Sequence, residues 1–276
     1  MSQEEVSQQW ANFLKNKGEW HGSFTKFSAE GIELTNVPSI LSLEPFSKQK
    51  ARLTLRRFYP QTDPNKEPIA RTLMQEFQPP LAPDLFFFES GSFCRGMMQI
   101  EDDSSPTIEF GLINKNRRSR QVQKYNRNGN LEYVTLIREQ KYPNTPKGEN
   151  LPIDALLGTR RGEAIEVDRQ MQVKHHKIST QFDRTGDILT RVTIVDGEEY
   201  TKTGKIDGSL IDFESEKMLL LEDGAWANFP SPIKSDRAFR FEVGWLFAEN
   251  SSQRLKRCYN EKGQWISTIS IVESKV

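Results

Sequence analysis

Between residues 239 and 247, Phe239, Phe241, Val243, Trp245 and Phe247 alternate with Arg240, Glu242, Gly244 and Leu246. A period of two is that of a half-buried strand. Much of the chain reads as short strands of this kind, separated by one recurring turn chemistry. Phe27-Ser-Ala-Glu-Gly31, Tyr125-Asn-Arg-Asn-Gly129, Phe182-Asp-Arg-Thr-Gly186 and Tyr259-Asn-Glu-Lys-Gly263 each place an aromatic residue, then Ser, Asn or Asp, then Gly where positive φ is wanted. That order predicts tight hairpins with a glycine bulge. Helical spacing is confined to two places. Ser2 to Lys17 carry a Ser2/Glu5 capping box, with Trp10, Phe13 and Leu14 on one face and Gly18 as the stop. Pro152 starts a shorter helix with Ile153, Leu156 and Leu157 on its apolar side, ended by Gly158. With strands elsewhere, the chain is all-β and antiparallel, and parallel βαβ architecture is disfavoured. A long meander protects its edges by closing, so barrels are expected.

The pattern repeats. Residues 83–141 laid over 216–275 match at Glu89/Glu222, Gly91/Gly224, Glu109/Glu242, Gly111/Gly244, Arg120/Arg254, Tyr125/Tyr259, Asn126/Asn260, Gly129/Gly263 and Glu139/Glu273. Each helical opening also runs into Gly-x-x-x-Gly, at Gly18–Gly22 and Gly158–Gly162. The halves therefore read as one fold duplicated, 1–145 and 146–276, joined by the proline- and glycine-bearing connector Tyr142 to Pro152.

Composition narrows the function. The 276 residues are 36% hydrophobic and 28% charged, typical of a globular protein, and their 38 basic and 38 acidic side chains cancel. Neither half holds enough surplus charge for non-specific nucleic-acid or membrane affinity. Apolar runs stop at four residues, as in Leu85 to Phe88, so membrane insertion is not expected. The acidic opening Met1-Ser-Gln-Glu-Glu5 is unlike a secretory or transit segment, and a cytoplasmic location is expected. Cys94 and Cys258 read as packing residues, and His175 and His176 point to opposite faces of one strand, so no metal site is expected. Hydrolase, kinase and dehydrogenase motifs are missing, which leans the reading away from an enzyme.

Gly18-Glu19-Trp20, after a short helix and opening a strand, resembles the Gly-x-Trp motif of lipocalins and their calycin relatives. With Gly18-Glu-Trp-His-Gly22-Ser-Phe, Phe86-Phe-Phe-Glu-Ser-Gly91 and the duplicated half, the chain resembles an uncharacterised family of cyanobacterial and plastid proteins built from lipocalin-like calycin domains. That family is similar in fold to the S-type phycobiliprotein lyases, which deliver a bilin to an apoprotein cysteine. The resemblance implies two tandem lipocalin-like barrels, each opened by a short helix. It further implies that Trp20 closes one barrel end beneath a late-strand arginine, for which Arg138 stands in the right place. The second half departs from the motif, with Gly158-Thr159-Arg160. No lyase motif is present to carry a reaction across.

Among individual residues, Glu109 with Arg120, repeated as Glu242 with Arg254, is the best-supported constellation. The hairpin spacing sets each pair roughly opposite on neighbouring strands. Its worth depends on burial: ~0 to 1 kcal/mol on an exposed face, whereas inside a barrel it costs energy unless a ligand or further hydrogen bonds compensate. Two readings stay open. In one, Arg120 and Arg254 meet the carboxylate of a ligand such as a bilin propionate. In the other, they are hairpin salt bridges inherited by both copies. Gly111 and Gly244 leave space for a ligand or for a neighbouring side chain. Trp226, Trp245, Phe93, Phe110, Phe239 and Phe241 either line a cavity or fill it. The cationic run Lys115, Arg117, Arg118, Arg120, Lys124 and Arg127 is either a patch for an acidic partner or a solvated hairpin tip. The favoured reading is a non-enzymatic binder of an apolar, acid-bearing ligand, a bilin or other tetrapyrrole among them. The alternatives are a phycobiliprotein lyase or chaperone, and an interaction module with filled barrels.

Overall fold

The structure, a computed structural model, describes residues 2–63, 65–142, 148–234 and 237–276; the boundary expected at 145/146 lies outside the described residues. Helix α1 (Gln3–Leu14) is followed by β1 (Gly18–Ser28), β2 (Glu33–Ser47), β3 (Lys50–Tyr59), β4 (Ile69–Phe77), β5 (Leu85–Phe87), β6 (Phe93–Arg95), β7 (Thr107–Asn114), β8 (Arg117–Tyr125) and β9 (Leu131–Gln140). After a single 3₁₀ turn at Ile153–Ala155 come β10 (Gly158–Asp168), β11 (Val173–Thr185), β12 (Ile188–Val195), β13 (Glu198–Asp207), β14 (Leu210–Asp212), β15 (Glu216–Leu220), β16 (Ala225–Pro230), β17 (Phe239–Ala248), β18 (Ser251–Tyr259) and β19 (Trp265–Lys275). The all-β, two-barrel expectation holds, with one difference between the halves. β10 to β19 close into a barrel in chain order, whereas the first sheet, ordered β4-β3-β2-β1-β9-β8-β7-β6-β5, is a curled half-barrel with free edges at β4 and β5. In the second half β13 turns into β14, which pairs with both β13 and β15. In the first, β4 leads into residues 78–84, where Pro79, Pro80 and Pro83 have no N–H to give a ladder.

The first opening forms as the sequence directs, whereas the helix expected after Pro152 is a single 3₁₀ turn and Gly158 opens β10. Ser2 and Glu5 make the capping box, and α1 seats Trp10 and Phe13 on the half-barrel. The Gln9 amide exchanges two hydrogen bonds with the backbone of Phe87, Nε2 to O at 2.9 Å and N to Oε1 at 2.8 Å. The helix ends at a Lys15 C-cap, earlier than Gly18, which instead opens β1. Gly22 and Gly162 have a steric reason. A Cβ on Gly22 would lie 1.8 Å from the Arg138 carbonyl oxygen, and one on Gly162 1.8 Å from that of Val272. Each glycine lets the first strand of its half lie against the last.

Three of the four expected turns match closely. Ser28 Oγ accepts from the backbone N–H of Glu30 and Ile32, with Gly31 at φ 87°. Asn126 Oδ1 accepts from the backbone N–H of Asn128 and Asn130, and Asn260 Oδ1 accepts from Lys262 and Gln264; Gly129 and Gly263 have φ of 73° and 69°. The turn expected at Phe182 to Gly186 is displaced. Thr185 pairs with Ile188, so the loop is Gly186-Asp187, and Phe182 packs inside the second barrel. A further Asx turn lies between β10 and β11 at Asp168, whose Oδ1 accepts from Gln170 and Gln172, with Met171 at φ 62° where the corresponding turn of the first half has Gly31.

The largest core lies between the barrels, not within either. Ile108, Phe110, Leu112 and Tyr125 of the first half pack with Phe241, Val243, Trp245, Leu255 and Tyr259 of the second. Equivalent hairpins, β7–β8 and β17–β18, thus meet back to back. Gln121 and Gln123 donate to the Gly244 and Glu242 carbonyls at 3.3 and 3.2 Å, and Gln253 to that of Ile113 at 3.2 Å. Arg257, 1% exposed, spends its donors on Tyr259 Oη (2.8 Å) and the carbonyls of Gly96 (2.7 Å) and Met97 (3.3 Å). β17 is therefore buried on both faces from Phe241 to Trp245, not half-buried throughout. Its apolar side chains point out of the barrel and its charged ones in.

Candidate functional site

That inversion decides the residues of interest. Arg120 and Arg254 are both inside their barrels, each held by two carboxylates. Arg120 donates to Glu139 through Nε and Nη2, both at 3.0 Å, and to Glu109 through Nη1 at 2.7 Å. Arg254 donates to Glu273 at 3.0 and 2.8 Å, to Glu242 at 2.9 Å and to Thr180 Oγ1 at 2.8 Å. The second glutamate of each clamp comes from the last strand of its half. The expected cross-strand register is off by two: Arg120 faces Gly111 and Arg254 faces Gly244, so each glutamate pairs diagonally. The space over both glycines is taken by a neighbouring ring, Phe93 on Gly111 and Trp226 on Gly244. Burial would raise the Glu139 carboxyl, but Arg118 and Arg120 hold it below the usual carboxylate range.

The first half-barrel encloses a cavity of about 350 Å³. Leu41, Leu43, Leu53, Leu55, Phe24 and Ile137 form apolar wall, and the free edges contribute Leu73 and Phe77 from β4 and Leu85 and Phe87 from β5. Phe13 of α1 packs at one end against Phe77 and Phe87. Glu109, Arg118, Arg120, Arg57 and Arg95 supply the polar lining. Arg118 is the telling member. It is 4% exposed, donates through Nε to Glu139 Oε2 at 2.7 Å and through Nη1 to Asn16 Oδ1 at 3.1 Å, and its Nη2 has no hydrogen-bond partner among the described residues. Burial pushes its pKa below the ordinary value, with Glu139 opposing. Arg57, half-buried over Phe24, has no carboxylate partner among the described residues, while Arg95 is paired with Asp84 at 3.0 Å.

Of the aromatic residues expected to line a cavity, Phe93 does so. Phe110 and Trp245 do not: both belong to the core between the barrels, because their strands carry apolar side chains on the outer face. Phe239 packs against that core and Phe241 lies within it. Trp226 is inside the second barrel, whose interior is filled by Phe182, Leu189, Ile211, Phe213, Met218 and Trp226. Trp20 is fully buried, and its indole N–H donates to the Asn16 carbonyl at 2.9 Å. The arginine against it is Arg118, 4.4 Å from the ring centre, and not Arg138. Arg138 lies on the opposite face of β9, where it meets Glu222 at 3.3 Å and Ser23 at 3.2 Å. Arg160, at the place of Trp20 in the second half, donates to the carbonyls of Leu156 (2.6 Å) and Ala155 (2.7 Å).

The cationic run divides. Arg118 and Arg120 go inward, Arg117 crosses to Asp223 at 2.8 Å, and Lys124 folds back on Ser105. Sequence reasoning passed over Arg118 because it sat in that run. The available signal was its parity with Arg120, two residues on along one strand. Cys94 and Cys258 are free thiols, and burial pushes Cys94 up to about 11, away from reactivity. Among the described residues no group of His, Cys, Asp and Glu could hold a metal ion, and no helix is long and apolar enough to cross a membrane.

Fold and cavity together define a tandem β-barrel protein with one apolar, arginine-bearing chamber. The chain belongs to the DUF3598 family: residues 6–143 match its N-terminal domain, a domain of unknown function. Residues 147–276 match the C-terminal domain of biogenesis factor required for ATP synthase 1. A DUF3598 protein of unknown function from Nostoc punctiforme is 34% identical over 97% of this chain and 99% of its own, with a TM-score of 0.87. An S-type phycobiliprotein lyase from Guillardia theta aligns with 45% of this chain and 89% of its own, at 13% identity and a TM-score of 0.32. No curated protein matches the chain.

Proposed function

We propose that the first half-barrel binds a small, largely apolar molecule through an acidic or acceptor group, without catalysis. The carrying observation is Arg118: a guanidinium buried in the wall of a largely apolar cavity, with one nitrogen lacking an acceptor among the described residues. An unmet buried donor is costly, and a ligand oxygen there would remove the cost. At about 350 Å³ the cavity falls in the range of about 300–1,000 Å³ that small-molecule sites occupy. Arg57 offers a second cation on the same lining. Arg120 and Glu109 then act as the frame that holds Arg118 through Glu139, rather than as the ligand's own contact. A bilin or other tetrapyrrole, the ligand implied by the lipocalin-like resemblance, has the required character of a flat apolar body with acidic side groups. One end would enter the cavity while the rest emerges beside the free edges of β4 and β5.

Calorimetric titration with biliverdin and with a medium-chain fatty acid tests this reading. Saturable binding to the intact chain, weakened in Arg118→Met by about 1.5–3 kcal/mol as expected for a charged hydrogen bond, supports it. No binding of either, or equal binding by the variant, would overturn it.

The match of residues 147–276 favours a second reading, in which the chain assists assembly of ATP synthase. A deletion strain separates the two. Less assembled ATP synthase with normal pigment attachment supports the assembly role; normal ATP synthase content counts against it.

A further inference from the structure

The second barrel differs from the first in the charge of its interior. Arg191 on β12, Lys202 on β13 and Arg240 on β17 converge on one carboxylate, Glu216 of β15; Lys202 lies 3.0 Å and Arg240 3.5 Å from it, and Arg191 closer still. Asn228 Nδ2 adds a hydrogen bond to the same group at 3.2 Å. Lys256 on β18 stands 3.8 Å from Glu242 Oε2, while the other oxygen of Glu242 is taken by Arg254. Arg254 is itself balanced by Glu273. Among the described residues, therefore, Arg191, Lys202, Arg240 and Lys256 share two carboxylates, Glu216 and Glu242. The nearby Glu166 is committed to His176 at 3.1 Å.

Depth makes this surplus matter. Arg191 and Lys256 are at most 12% exposed, whereas Lys202 and Arg240 remain about one third exposed and form the solvent side of the cluster. Among the described residues Arg240 Nε has no hydrogen-bond partner, nor does Glu242 Oε2. Burial pushes Lys256 down to about 8, with Arg254, Arg240 and Arg191 acting in the same direction and Glu242 against them. Burial alone would raise Glu216, yet Arg191, Arg240 and Lys202 hold it at about 2. Strand register adds a comparison. The first-half positions matching Arg191, Lys202 and Lys256 are Leu53, Gln75 and Val122, all lining the apolar cavity. The charges are peculiar to the second copy, and the common fold does not require them.

We propose that the mouth of the second barrel is an anion site that takes a small dianion of the phosphate class. Lys202 and Arg240 contact it from the solvent side, and Arg191 and Lys256 supply the charge beneath. The site is independent of the ligand proposed for the first half-barrel.

The test is calorimetric titration of the full chain with inorganic phosphate and with glycerol phosphate, each compared with chloride at equal ionic strength and paired with thermal unfolding. Phosphate should bind saturably and raise the unfolding temperature where chloride does not. The variant Lys202→Met/Arg240→Met should weaken binding by about tenfold or more, the scale of one lost charged hydrogen bond. If that variant does not fold, Lys202→Met alone, on an exposed strand, should show a smaller loss in the same direction. Tighter binding of glycerol phosphate would support an esterified ligand, and of inorganic phosphate a free one. A phosphate response no greater than that of chloride, or one unchanged in the folded variant, would overturn the site.

Discussion

The two barrels share a frame and differ in what the frame encloses. Each keeps a buried arginine clamped by two glutamates, a glycine carrying an aromatic ring, and a glycine where the first strand crosses the last. At the closed end the cation has moved. The first half has Trp20 with Arg118 stacked on it; the second has Arg160 at the place of Trp20 and Ser252 at the place of Arg118. Both Trp20 and Arg160 donate to the carbonyl four residues back. The same hydrogen bond thus survives an exchange of side chains, and Glu139 and Glu273 each still face two arginines. Farther up the wall, Leu53, Gln75 and Val122 of the first half leave a cavity, and Arg191, Lys202 and Lys256 of the second replace it with an ionic network. Two barrels of matching strand order can therefore hold one frame fixed while a ring of interior positions sets the chemistry.

The largest effect should come from the clamps. Glu139→Gln strands Arg118 and Arg120 in the interior and should cost about 3–5 kcal/mol, the scale for breaking a buried pair. Urea denaturation measures it, and Glu273→Gln should cost a similar amount. A loss confined to one of the two would show that the clamps are not equivalent.

Next comes the cluster peculiar to the second barrel. Lys256 has a folded-state pKa of about 8 against an ordinary value of about 10.4, so between those values the unfolded chain binds more protons and stability rises with pH. Lys256→Met should abolish that rise, as thermal unfolding between pH 7 and 10 would measure. Glu216 works in the opposite sense. Its folded-state pKa near 2 lies below the ordinary value of about 4.3, so its contribution is present above that value and is lost as the pH falls toward 2. Melting temperatures between pH 5 and 2 should fall less steeply in Glu216→Gln.

A smaller change would erase the contrast itself. Val122→Lys gives the first half-barrel the residue found in the second at Lys256; it should destabilise the fold by placing an ammonium group in a largely apolar wall and abolish binding in the cavity. Retained binding, measured by calorimetry, would place the ligand elsewhere. The smallest effect is expected at Arg52 and Glu76, an exposed pair on β3 and β4 at 2.8 Å. Arg52→Ala should change the urea midpoint by no more than the equivalent of ~1 kcal/mol.

The amino-acid sequence by itself determined the local features and the correspondence between residues of the two halves. Alternation along Phe239 to Phe247, the Asn126 and Asn260 turns and the Ser2/Glu5 cap depend on residues close together in the chain, where periodicity and turn chemistry act directly. Matching residues in the two halves included both arginines and all four glutamates of the clamps, but the sequence paired each arginine only with the glutamate of its own hairpin. Tertiary structure alone decided which face of a strand was which. A period of two separates two faces without saying what covers each, and here the apolar faces of β7 and β17 turn outward to meet one another, while Glu109, Arg120, Glu242 and Arg254 turn inward. For that reason Phe110 and Trp245 joined the core between the barrels, and Arg118, indistinct within a cationic run, became the donor without an acceptor. Burial is a property of neighbours distant in the chain, and those neighbours are fixed only when the two barrels have packed together.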